Sequence, residues 1–393
     1  MSVSTRSPVV QWPREFNKVP KSVFYRDDVY QRELERIFSG PEWFPVAHVC
    51  EVPKPGDIKV ANIGSVPVMV VNGNDGKIRV FLNSCPHRGT QLATQPRGNV
   101  KTIECPYHRW GFDLCGNLLG APGLTEFKPG FRKEDYGLRL VRSDVVHGVV
   151  FATLSAEAPE LVQYLGETIP YIANVLADGR PLKLLGYQKV IYDANWKEYA
   201  DNEGYHAPLL HRAFRLLKWQ GGQGLQIMTP NAHKVISADL QHVQDNGFLA
   251  DHSLIETRDR ATTPKSVIVT LFPLTAFVRH LDVLSLRYAM PLSADQTEVQ
   301  YTYFAPMDDD EETLRHRIRQ ASNLLGPSGL ISLEDGAVFN RLHVGSHAGG
   351  VAEFQKGVRD PMSLPTELRQ NDEAGNLMRW ERYRSIMGFN RDE

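Results

Sequence analysis

Residues 81–116 read FLNSCPHRGTQLATQPRGNVKTIECPYHRWGFDLCG, and this stretch decides how the chain must fold. It holds Cys85-x-His87, then seventeen residues, then Cys105-x-x-His108. Two thiolates and two neutral imidazoles suit either zinc or a two-iron, two-sulfide centre in which imidazoles replace thiolates on one iron. Zinc fingers pair Cys with Cys and His with His on separate hooks. Here each hook offers one of each, so each loop can give its Cys to one iron and its His to the other. Pro86 and Pro106 stiffen the loops. Arg88, Gly89, Gly98 and Gly111 fit turn positions whose backbone N–H groups can bond cluster sulfurs. Cys50 and Cys115 fit neither hook and read as small buried hydrophobes.

Working outward, the runs PVAHVCEV, IKVANI, VPVMVV and KIRVFLN precede the hooks, and VVFATL follows them. They are short, rich in β-branched residues and punctuated by Pro55-Gly56, Gly64 and Gly73–Gly76, so they predict a small antiparallel β domain. Ahead of it, residues 24–40 have helical period with Gly40 as a stop. Beyond it the pattern predicts a helix-like stretch at 157–176, a strand at 184–192 and a helical segment at 194–211. Alternating runs follow: HKVISADL, SVIVTLF, AFVRHL, LSLRYAMPL and TEVQYTYFAPM. Further helices are expected from the acidic Asp308–Asp310 cap region to Leu325, over 332–344, and over 366–387 before Gly388. Segregated strands and helices make the fold class α+β.

The composition sets limits. The chain has 393 residues, 42% hydrophobic and 23% charged, which is globular usage. Lys plus Arg number 44 against 46 Asp plus Glu, a net charge of −2, so nothing electrostatic favours nucleic acid or an anionic membrane surface. The N-terminal stretch has no apolar leader, and the longest apolar run, Val66–Val71, is too short to span a bilayer. Four cysteines are too few for a disulfide framework. The expectation is a soluble, cytoplasmic protein.

A second constellation lies in Asn195–His211, NWKEYADNEGYHAPLLH. His206 and His211 are five apart, one more than helical spacing, and Pro208 between them loosens the helix. Two His need one carboxylate to complete the facial triad of a non-haem Fe(II) site. Asp201 and Glu203 are near in sequence; Asp335, in LISLEDGAVFNRLHVG, is remote.

With these residues in view, the sequence resembles the large (alpha) subunit of the Rieske non-haem iron aromatic-ring-hydroxylating oxygenases, over nearly its whole length. Cys85-Pro-His87-Arg-Gly and Cys105-Pro-Tyr-His108-x-Trp110 carry the resemblance, with Asn195-Trp196-Lys197, Glu203-x-Tyr205-His206-x₄-His211 and Glu334-Asp335. Within that family NLLGPSGLISLEDGAV (323–338) is most similar to the terephthalate, salicylate and anthranilate oxygenase group.

The resemblance implies a Rieske-type antiparallel β domain and a helix-grip catalytic domain with a large antiparallel sheet. Expected boundaries are an N-terminal helical segment at 1–42 packing on the catalytic domain, the Rieske domain at 43–155 and the catalytic domain at 156–393. It implies a [2Fe–2S] cluster on Cys85, His87, Cys105 and His108, and mononuclear Fe(II) on His206, His211 and Asp335. Glu203 matches the family's bridging acid, where many members carry Asp, between the iron's His and a cluster His of a neighbouring subunit. His343 stands where the family often has Gln, which removes one amide.

O₂ is the implied cosubstrate, with electrons from NAD(P)H through a reductase, with or without a ferredoxin. The implied assembly is a homotrimer or an α₃β₃ complex with a small β subunit. An aromatic carboxylate would need a cation in an apolar pocket, for which Phe214, Leu217, Trp219, Met228, Phe272 and Phe277 are candidate walls. Arg287 resembles a substrate-binding Arg of the terephthalate-type enzymes, and Arg369 matches a second such Arg across a gap. The expected reaction is cis-dihydroxylation or monohydroxylation of the ring; the alternative is a Rieske monooxygenase performing N- or O-dealkylation or amine oxidation.

Overall fold

The computed structural model describes residues 9–202, 224–239, 249–259 and 265–392. The chain divides into two compact units, Phe38–Leu161 and Met1–Ile37 with Val162–Glu393.

In the unit Phe38–Leu161, the β-branched runs pair into a seven-stranded antiparallel sheet. Its order is Phe44–His48, Val149–Thr153, Leu140–Val146, Ile78–Leu82, Val66–Asn72, Asp57–Ile63 and Arg97–Asn99. A small three-stranded sheet, Ile103–Glu104, Gly111–Phe112 and Leu118–Gly120, stands beside it. The first hook follows the strand Ile78–Leu82, and the second joins the first two strands of the small sheet. Met69, Phe81, Cys85, Cys105, Trp110, Phe112 and Leu118 bury together, so the thiols of the two hooks are part of the core. Gly98 and Gly111 lie in strands rather than in the expected turns. Gly89, at φ +77°, does occupy a turn, in the left-handed region that glycine adopts without strain.

The other unit is built on a second seven-stranded antiparallel sheet. Its order is Leu182–Tyr192, Thr297–Pro306, Val283–Pro291, Thr275–His280, Lys265–Leu271, Lys234–Asp239 and Leu225–Met228. Six of these are the runs read from the sequence, and Leu225–Met228 is an additional edge strand; they pair consecutively, with the earliest strand returning to the edge beside the last. The described α-helices are α1 (Asp27–Glu33), α2 (Leu161–Leu165), α3 (Ile169–Val175), α4 (Trp196–Ala200), α5 (Glu311–Gln320), α6 (Leu330–Ser346) and α7 (Ala374–Met387), and Lys18–Pro20 pairs with Val351–Glu353 in a two-stranded sheet.

Helix α5 starts where the acidic run places it: Asp310 accepts the Thr313 N–H at 2.7 Å. The expected helix over 157–176 is broken into α2 and α3 by a 3₁₀ turn at Gly166–Thr168. The last helix begins at Ala374, not 366. The eight residues before it are held by other bonds: Gln370 accepts the Gly224 N–H at 2.8 Å, and Asp372 accepts that of Arg369 at 3.0 Å. Gly388, at φ +67°, ends α7 as expected. Among the described residues no helix is long and apolar enough to cross a membrane.

Two close approaches position the site. Helix α4 is capped reciprocally: Asn195 accepts the Lys197 N–H at 3.1 Å, and Glu198 accepts the Asn195 N–H at 2.8 Å. The helix is then fixed by a buried charge. Glu33 on α1 accepts from Lys197 at 2.6 Å, from the Trp196 indole at 2.7 Å and from the Tyr383 hydroxyl. Helix α6 lies so close to the sheet that a Cβ on Gly336 would sit 2.8 Å from the Tyr192 ring.

Candidate active site and metal centres

The two hooks fold as copies of one loop. The Cys85 N–H donates to the Thr90 carbonyl at 2.8 Å, and Cys105 N–H to that of Trp110 at 2.9 Å. The Cys85 and Cys105 carbonyls accept from Gly89 at 2.9 Å and Arg109 at 3.0 Å. Both fourth positions are left-handed, with φ +77° at Gly89 and +60° at Arg109, so the Arg stores backbone strain that the glycine avoids.

This repeated geometry brings the four side chains together. The Cys85 and Cys105 thiols are within hydrogen-bond reach of each other, and the backbone N–H groups of His87 and Arg88 point at the Cys85 sulfur. The His87 and His108 rings lie 4.7 Å apart. Trp110 stacks on His87 at 4.7 Å with only 4° between the planes, and Phe127, Phe131 and Tyr136 surround the indole. Burial, then the neighbouring His108 and Arg88, hold His87 below the usual imidazole range, in the neutral form a metal requires. Two adjacent buried thiols, two neighbouring imidazoles and N–H donors aimed at sulfur fit a [2Fe–2S] cluster. Asn83 anchors the first loop, accepting from Leu92 at 3.1 Å and Ala93 at 2.9 Å, a support the spacing argument missed.

The other two cysteines separate. Cys50 is partly buried and its thiol is pushed up to about 12 by burial. Cys115 is exposed, against the expectation, because Asp113 turns the chain outward by accepting the Cys115 N–H at 2.8 Å.

In the larger unit, Glu203, His206 and His211 lie outside the described residues, as do Phe214, Leu217 and Trp219. The chain is held firmly up to that point. Asp201 accepts from the Trp380 indole at 3.1 Å, and Lys234 donates to the Asn202 carbonyl at 3.1 Å. Asp335, half-buried on α6, lines a cavity of about 590 Å³ with Glu198, Asp201, Asn202, Phe339 and Phe354. Of the expected pocket walls, Phe272 and Phe277 are buried in the core and Met228 is partly buried.

Arg287 sits directly opposite Tyr301 in the sheet register, with its guanidinium 4.8 Å over that ring. It donates to the Leu325 carbonyl at 3.2 Å, and among the described residues its buried Nε has no partner. Tyr192, Tyr199, Tyr301 and Tyr303 surround it. Burial holds the Tyr199 hydroxyl far above its ordinary range; Tyr301 adds to this, Arg287 opposes it, and the Asp335 charge also raises it. The guanidinium and Asp335 therefore share one phenolic neighbourhood. Arg369, by contrast, is exposed before α7.

The chain matches two families, the Rieske [2Fe-2S] domain over residues 42–134 and the ring hydroxylating alpha subunit (catalytic domain) over 176–386. The anthranilate 1,2-dioxygenase large subunit of Burkholderia cepacia is 33% identical, covering 95% of this chain and 94% of the relative. The salicylate 5-hydroxylase large oxygenase component of Ralstonia sp. is 31% identical (84% and 85%). The terephthalate 1,2-dioxygenase terminal oxygenase component subunit alpha 2 of Comamonas sp. is 30% identical (97% and 98%). In fold, the chain is similar to naphthalene 1,2-dioxygenase from Rhodococcus sp., with TM-score 0.80 and 24% identity over 94% of each chain. A quaternary ammonium Rieske monooxygenase gives TM-score 0.79 and 21% identity, over 97% of this chain and 99% of the other.

Proposed function

The chain belongs to the Rieske non-haem iron oxygenases, as an alpha subunit of the aromatic ring-hydroxylating type, and on that premise we propose that its substrate is an aromatic carboxylate. Its cofactors are a [2Fe–2S] cluster and a mononuclear iron, with NAD(P)H reached through a reductase. The observation that carries the substrate class is Arg287, a guanidinium with an unpartnered buried Nε among the described residues, ringed by tyrosines. The relatives named for anthranilate, salicylate and terephthalate support it, since all three compounds are aromatic carboxylates.

In this reading Cys85, His87, Cys105 and His108 hold the cluster; His206, His211 and Asp335 hold the iron; and Glu203 orients an imidazole on each side. Bound there, the cluster supplies electrons singly and the iron supplies open positions for O₂. The protein's own residues do the rest. Trp110 holds the plane of His87. Arg287 grips the substrate carboxylate as a two-pronged donor, which a Lys would not reproduce. Tyr199 stays protonated at any working pH and donates from its hydroxyl. The aromatic pocket then orients the ring for hydroxylation, to a cis-diol or a phenol. Arg369 contributes a second cation from the segment before α7.

The assembly in this reading is a trimer, of this chain alone or with a small β subunit, served by a reductase and in some arrangements a ferredoxin. Steady-state kinetics of Arg287→Met on an aromatic acid test the substrate class. Losing a charge-assisted pair of about 1.5–3 kcal/mol raises KM roughly 10–100-fold with both metals retained; an unchanged KM removes Arg287 from the pocket.

A further inference from the structure

We propose that the chain carries a further metal position, a divalent transition-metal site formed by His343, His347 and Asp295, with Glu198 orienting the first imidazole. It uses none of the residues proposed for the cluster or the mononuclear iron, and it does not depend on the substrate reading. One ligand atom from each of the three residues lies within 4.8 Å of the other two. His343 and His347 are one turn apart at the end of α6, their rings 5.3 Å apart and perpendicular. Asp295 comes from the turn between Val283–Pro291 and Thr297–Pro306, fixed by its N–H on Ser293 Oγ at 3.1 Å.

The hydrogen bonds around His343 argue for a cation. Its Nδ1 faces Glu198 Oε2 at 3.1 Å, and its Nε2 faces Asp295 Oδ1 at 3.1 Å. Glu198 is already an acceptor, from the Asn195 N–H at 2.8 Å and from Ser346 Oγ at 3.2 Å. With Nδ1 turned to Glu198, Nε2 and Asp295 Oδ1 face each other across a gap that takes a positive charge, either a metal ion or a second ring proton. A carboxylate on Nδ1 with the metal on Nε2 is the usual support for a ligating histidine.

The spacing fits. Ligands bonded at about 2.0–2.1 Å in tetrahedral geometry stand roughly 3.3 Å apart, close to the His343–Asp295 separation. His347 is exposed but stacked on Tyr25 at 4.6 Å, which orients its ring. Two nitrogens and one oxygen suit Zn²⁺, Co²⁺ or Ni²⁺ rather than Mg²⁺ or Ca²⁺. Asp295 and His347 both reach solvent, so a fourth position is open and the ion exchanges freely.

Equilibrium dialysis of the cluster- and iron-loaded enzyme against micromolar Zn²⁺, and the visible absorption of Co²⁺, test the site. The expected result is one equivalent bound in addition to the iron. That equivalent weakens at least tenfold in His347→Ala and in Asp295→Asn, while iron content and the cluster spectrum stay unchanged, and Asp335→Ala retains it. The proposal is overturned if no saturable Zn²⁺ binds, which would mean that a second proton on His343 satisfies both carboxylates. It is equally overturned if the equivalent disappears in Asp335→Ala and survives in His347→Ala, because the ion would then be in the iron position.

Discussion

The cluster loops and the catalytic pocket solve the same problem, holding a metal, by opposite means. The four proposed cluster residues fall within 24 positions, Cys85 to His108, on two loops with the same hydrogen-bond pattern. The proposed iron ligands span His206 to Asp335, and the only one described stands on a helix locked against Tyr192. A local site is specified by spacing and turn chemistry. A distributed site is specified by packing, through α4 anchored on Glu33 and α6 pressed on the sheet.

The sharpest way to break this comparison is to remove one ligand from each region. Cys85→Ser should lose the cluster and all turnover while keeping mononuclear iron. Asp335→Ala should lose mononuclear iron and all turnover while keeping the cluster spectrum. Metal analysis with the reduced-state EPR signal reads both, and loss of both metals from either variant would mean the regions are not independent. Glu203→Gln is expected to leave both metals in place and still abolish turnover; normal activity would remove it from the bridging role.

Acid should separate the regions by a smaller amount. Burial lowers His48 to about 4 in the unit Phe38–Leu161, and lowers His233 and His280 to about 3 in the other. Each is neutral when folded but protonated in the unfolded chain below its ordinary pKa of 6.5. The unfolded state then binds more protons, so stability is present above pH 6.5 and is lost on acidification towards pH 4 or 3. Each contributes a slope of about 1.4 kcal/mol per pH unit. His233 and His280 in the larger unit are each lowered further than His48, so its loss of stability should extend to lower pH, read by denaturant melts at pH 7, 6, 5 and 4; a loss that ends at the same pH in both units would contradict the assignment. The smallest effect is Gly336→Ala, whose methyl must displace Tyr192 at a cost of about 1–3 kcal/mol. A thermal midpoint unchanged from the parent would show that α6 has room to move.

Much of this was legible in the sequence, for reasons that differ by region. The alternating runs from Lys265 to Pro306 became strands in consecutive order because antiparallel neighbours need only short turns, while Lys234–Asp239 joins the same sheet across a 25-residue connection. The hooks were legible because a Cys and a His on each loop permit few arrangements. Cys115 was misread because burial was assigned from residue type, while Asp113 decides where that turn points. The start of α7 was misread because residues 366–373 have helical composition but spend their polar groups on bonds to the sheet edge and one another. The neighbours of Arg287 needed the sheet register, which no spacing rule supplies. The His343 pairing joins positions 198, 295 and 343, and only the fold brings them together.

The most direct test of the central claim is a single turnover of the pre-reduced protein with ¹⁸O₂ and a panel of benzoates, phthalates, salicylates and N- or O-methyl aromatics, with products read by mass. Labelled oxygen is expected in the ring of an aromatic carboxylate, as two atoms for a cis-diol or one for a phenol. Label appearing only with a demethylated or oxidised amine product, and none in any carboxylate, would contradict it and establish the monooxygenase chemistry in its place.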